Sequence, residues 1–169
     1  MHSRNIIRDL HSQSTWKLVF YSAITAGIYT AHYIKRQTRI LNKHLDRGQQ
    51  ISEGFISFFL IFTYLSVILI IPYVLVEDGH PFELVSDSVD KVWNIIALVW
   101  AFKFRNRMNS LLGSTPGQKK WFHGGWTFFF GFLHINFKIN QLNEIEPIAP
   151  LYGEQRPILK ATFCAPKVS

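Results

Sequence analysis

F-I-S-F-F-L-I-F-T-Y-L-S-V-I-L-I-I-P-Y-V-L-V, residues 55–76, carries no formal charge over 22 positions. As a helix rising about 1.5 Å per residue it reaches about 33 Å, enough to cross a hydrocarbon core of about 30 Å. The surface helix of a soluble domain would turn a charged face to water, and this stretch has none to turn. Working outward, three further apolar blocks stand between charged connections: 18–34, uncharged; 92–104, which holds Asn94 and Lys103; and 121–137, which holds His123, His134 and Asn136. At 169 residues there is room for one domain, and 48% hydrophobic with 15% aromatic residues exceeds what a soluble core of that size takes up. The pattern predicts an all-α chain, a small polytopic transmembrane helical bundle of four spans. The third block, short and flanked by charge, competes with an interfacial helix, and the fourth carries polar groups at apolar depth. Trp16 and Lys17 mark an entry into the interface. The domain layout is an amino-terminal arm at 1–15, a helical membrane domain at 16–143 and a polar carboxyl-terminal tail at 144–169.

Charge placement predicts orientation. Lys35, Arg36, Arg39, Lys43 and Arg47 follow the first block, and Lys103, Arg105, Arg107, Lys119 and Lys120 lie in 103–120, from the end of the third block onward; between them lie Glu77, Asp78, Glu83, Asp87 and Asp90 against Lys91 alone. The positive-inside bias assigns both basic loops to the cytoplasmic side and the acidic connection to the other. Four alternating spans then put both termini outside. The formal charge of +7 accompanies apolar helices and no recognition module, which favours anionic lipid headgroups over nucleic acid.

Small residues recur in the first block: Ser22, Ala26 and Thr30 four apart, beside Ala23, Gly27 and Ala31. Such rows let helices approach closely in a membrane, and Gly131 offers the fourth block a similar place. Three blocks end in a related pattern: R-Q-T-R-I-L-N through Asn42, K-F-R-N-R-M-N through Asn109 and K-I-N-Q-L-N through Asn143. Basic stems near a helix carboxyl end oppose the dipole, and the Asn can close the helix or bind another stretch of backbone. If all three exits share the basic side, four strictly alternating spans cannot hold, and the last block becomes re-entrant or interfacial.

With I-T-A-G-I-Y at 24–29, the basic run ending at Asn42, and W-T-F-F-F-G-F-L-H-I-N-F-K-I-N-Q-L-N at 126–143, the chain resembles domain-of-unknown-function family 4234, a family of uncharacterised bacterial membrane proteins. Ala26 stands where that family usually has Leu. The resemblance implies a helical membrane domain in a bacterial inner membrane, with Gly27, Tyr29, Asn42, Asn109, Asn136, Asn140 and Asn143 as structural signature positions and no catalytic set.

No phosphate-binding loop, nucleophile elbow or H-E-x-x-H occurs, and Cys164 has no second cysteine to pair with. His123 and His134, eleven positions apart, are too distant along one helix to share a metal without other segments. No cofactor, metal or catalytic residue is expected. The expected function is that of a noncatalytic integral membrane subunit that packs against or anchors a larger assembly. Its expected partners are membrane lipids and another integral membrane protein or a homo-oligomer, with no nucleic acid. The alternatives are a small transporter or channel component, with Asn94, His134 and Asn136 lining a path, and a cofactor-binding membrane enzyme subunit.

Overall fold

In the structure, a computed structural model that describes residues 2–75 and 81–145, every regular element is helical. Glu77 and Asp78 of the acidic connection and the tail residues 146–169 lie outside the described residues. The α-helices are α1 (His2–Leu10), α2 (Thr15–Ile24), α3 (Ile28–Asn42), α4 (Glu53–Leu75), α5 (Pro81–Leu111) and α6 (Gly124–Ile145), with a 3-10 turn at Arg47–Gln49.

The expectation of four spans meets the structure in part. Among the described residues one stretch, Arg47–Ile70, is long and apolar enough to cross a membrane, judged by length and composition. Pro72 sits inside α4 close to its end. The first apolar block, 18–34, is not one helix. Thr25 closes α2, Ala26 takes φ +46° and Gly27 φ +87°, and α3 begins at Ile28. The Thr30 hydroxyl then donates to Ser22 Oγ at 2.6 Å. On a continuous helix those residues would stand about 12 Å apart, so the chain folds back between them. Thr25 fastens the turn by accepting from the Tyr29 N–H at 3.0 Å.

A second break lies in α6, where Gly131 (φ +48°, ψ −124°) divides the helix into arms 124–130 and 132–145. The first arm starts against the Arg105 guanidinium, which donates to Phe122 O at 2.7 Å. The second arm brings Asn136 and Asn140 to the Gln13 carbonyl, between α1 and α2. The fourth block therefore bends in its middle and its second arm packs on the amino-terminal helices.

Between these elements α3, α4 and α5 pack side by side. Ile34, Leu41, Phe59, Trp100, Phe104 and Met108 are fully buried there, joined by Phe122, Ile135 and Ile139 from the last segment. Burial of each large side chain contributes roughly 1.5–3 kcal/mol in water, whereas inside a bilayer cohesion rests on close packing and polar pins. Two such pins cross the core: Trp100 Nε1 donates to Thr38 Oγ1 at 2.8 Å and Trp93 Nε1 to Thr63 Oγ1 at 2.9 Å. The amino-terminal arm is not free of the bundle. Ile6, Ile7 and Leu10 of α1 are buried while Arg8 and Asp9 face out, the spacing of an amphipathic helix laid on α3 and α6.

Candidate functional site

Asn42 and Asn109 perform the same task at one end of the bundle. The Ile51 N–H donates to Asn42 Oδ1 and Asn42 Nδ2 donates to Ile51 O, both at 2.9 Å. The Phe122 N–H donates to Asn109 Oδ1 at 2.9 Å and Asn109 Nδ2 donates to Phe122 O at 3.2 Å. A primary amide offers one donor and one acceptor side by side, which matches the two groups of a single extended residue. Each Asn thus ties the last turn of one helix to the residue that leads into the next. Both loops are held at the same end, because Arg107 of α5 donates to Gln49 O in the first of them.

The other signature positions are distributed differently. Asn136 Nδ2 donates to Gln13 O at 3.2 Å and Thr15 Oγ1 at 3.0 Å, and Asn140 Nδ2 to Gln13 O at 3.0 Å. The Tyr29 hydroxyl meets Gln13 Oε1. Gln13 therefore gathers Tyr29, Asn136 and Asn140, although nothing in its own sequence context singled it out. Asn143 is half-buried near the end of α6 and joins none of these pairings.

The small-residue rows do not form a stripe along one rod. Ala31 is buried, and Gly27 lies so close to Trp93 that an added Cβ would meet its ring at 3.1 Å. Ala23 and Ala26 remain exposed. Gly131 serves backbone direction and not close approach, since nothing lies within 4 Å of where a Cβ would stand.

An open cavity of about 690 Å³ lies between α2 and α6. Trp16, Trp126, Phe130 and Phe137 supply its apolar wall; His123, His134, Lys138 and Gln141 supply its polar groups. Lys138 Nζ donates to Gln141 Oε1 at 2.7 Å, and the Arg105 guanidinium sits 5.2 Å from the centre of the Trp121 ring at the rim. His134 Nε2 is shielded from solvent with no hydrogen-bond partner. His123 and His134 both border this space, but among the described residues no group of three or more His, Cys, Asp or Glu could hold a metal ion. A second hollow, about 520 Å³, lies along α3 beside Lys35, Arg36, Arg39 and Lys43.

On the outer surface of α4, Phe58, Ile61, Leu65 and Ile68 are exposed at helical spacing. His32 Nε2 and the Tyr64 hydroxyl stand 2.7 Å apart on the same side, both exposed. The sequence pointed to neither, because a His and a Tyr 32 positions apart carry no shared pattern.

No curated protein and no solved structure matches the chain. A family model described as a domain of unknown function, DUF4234, matches residues 13–110, which span Gln13, the broken α2–α3 pair, the Asn42–Ile51 tie and Asn109. The chain belongs to the DUF4234 family of domains of unknown function.

Proposed function

We propose that this chain is a noncatalytic integral membrane subunit, resident in a bacterial inner membrane, that packs through its α3–α4 face against another membrane protein or a second copy of itself. In this arrangement α4 and α5 cross the bilayer, while α2–α3 and α6 enter from the basic end and return to it. Lys and Arg of both Asn-tied loops then lie in the cytoplasm.

The observation that carries the subunit reading is the His32–Tyr64 pair. Tyr64 stands about three helical turns, roughly 16 Å, from Glu53, and so near the middle of an apolar core. Lipid chains offer such a pair nothing, whereas a partner helix covers it and returns hydrogen bonds. The neighbouring Ile61, Leu65 and Ile68 supply the apolar surround that a membrane interface needs. Two residues on which a transport path would draw are engaged internally: Asn94 Nδ2 donates to Asp90 O, and Asn136 is taken up by Gln13 and Thr15.

A photo-crosslinking residue at Ile61, activated in native membranes, is expected to give one protein adduct of defined size, and the same residue at Phe129 of α6 lipid adducts. His32→Ala is expected to weaken the Ile61 adduct. Lipid adducts alone at Ile61 would defeat the subunit reading.

A further inference from the structure

We infer that the cavity between α2 and α6 is a binding site for one acidic glycerophospholipid, its phosphate held by Lys138, His134 and His123 and one acyl chain lying along the aromatic wall. The volume, about 690 Å³, falls in the range of sites that enclose small ligands, roughly 300–1,000 Å³. It is too small for a whole phospholipid, so the headgroup and part of one chain enter and the second chain stays in the bilayer.

Chemistry inside the space selects the headgroup. None of the described residues lining it is acidic, while Lys138 is cationic, and Arg105 stands just outside against Trp121. His134 Nε2 is shielded and unpartnered, a desolvation cost that a ligand oxygen hydrogen-bonded to it removes. A phosphate supplies several acceptors at once and Lys138 a charge to hold them. The apolar wall argues against a free anion: Trp16, Trp126, Phe130 and Phe137 stand largely exposed, and the same rings that waste area in water grip a hydrocarbon chain. Aromatic rings beside cations at the edge of an apolar block are the pattern by which proteins hold lipid at the interface. Both arms of the bent helix line the site, Trp126 and Phe130 from the first and Leu133, His134 and Phe137 from the second.

This inference rests on the bilayer residence proposed above, and quenching by brominated lipid separates the two. The full chain is reconstituted in phosphatidylcholine vesicles containing brominated phosphatidylcholine or brominated phosphatidylglycerol at equal mole fraction, and tryptophan fluorescence is read. Quenching by both lipids, stronger for phosphatidylglycerol, is expected, with Lys138→Gln lowering the preference about fivefold, as for removal of one cation near a membrane surface. Val19→Phe, which fills the cavity without touching charge or adding a tryptophan, is expected to abolish the preference, while Arg36→Gln on the α3 surface leaves it unchanged. Equal quenching by the two lipids, or a preference that Lys138→Gln and Val19→Phe both leave intact, overturns the site. Displacement by millimolar inorganic phosphate reassigns it to a free anion and overturns the lipid. No quenching by either lipid fails the bilayer reading itself.

Discussion

At the scale of the residue, the asparagine ties do most to define the bundle's basic end. Asn42 is buried and satisfies both backbone groups of Ile51, as Asn109 does for Phe122. Replacing either with Leu leaves a buried N–H and C=O with nothing in exchange, at about 1–3 kcal/mol of stability. Asn42→Leu and Asn109→Leu are each expected to shift reversible unfolding in detergent micelles by that amount. Asn106→Leu, whose carboxamide faces solvent and accepts only from its neighbour Arg105, is expected to stay within about 0.5 kcal/mol of the parent. Half of this was legible. The repeated L-N and M-N exits announce that an amide stands where a helix stops, but the partners lie 9 and 13 positions on, and no local spacing rule names them. The Trp93–Thr63 and Trp100–Thr38 pins were hidden for the same reason: a Thr inside an apolar block or a basic exit reads as composition until the indole that needs an acceptor is placed beside it.

At the scale of the element, hydropathy located the apolar blocks and missed their direction. It averages over residues and is blind to φ, so a helix that stops at Thr25 and restarts at Ile28 scores like an unbroken one. The signal is present as T-A-G ahead of I-Y, a hydroxyl able to accept from the Tyr29 N–H and a residue free to take positive φ, but Gly in a membrane block reads first as a packing surface. Gly27 and Gly131 test the distinction. A left-handed or otherwise positive φ costs a residue with a Cβ about 1–2 kcal/mol, and at Gly27 the added methyl also presses on Trp93. Gly27→Ala is therefore expected to lower stability by at least about 1–2 kcal/mol and Gly131→Ala by about that much. Gly48→Ala, in open space and without positive φ, is expected to change nothing measurable. Equal tolerance at all three in a denaturant titration would show that the bends at Gly27 and Gly131 are not held by backbone conformation.

At the scale of the whole molecule, the two bends decide which parts of the chain share a side. Strict alternation of four spans sends both termini across from the basic loops. In the fold, Asp9 of α1 pairs with His44 at 3.2 Å, just beyond the end of α3, and Leu10 O accepts from Gln37. The amino-terminal arm therefore sits at the basic end. The second arm of α6 reaches the same neighbourhood through Gln13, which carries Glu144 back with it. Arg107 joins the loops after α3 and α5, so four separate stretches converge on one end and the start of α5 marks the other. Single cysteines at Asn5, Asp46, Thr115 and Glu144, all exposed, probe the first end, and one at Asp87, also exposed, probes the second, after Cys164 has been replaced by Ser. With a membrane-impermeant thiol reagent, Asp87→Cys is expected to react in intact cells, and the other four only after permeabilisation. Reaction of Asn5→Cys and Glu144→Cys together with Asp87→Cys would restore four crossings, because only an unbroken first and last block can carry both termini to the acidic side while Asp46 and Thr115 stay behind.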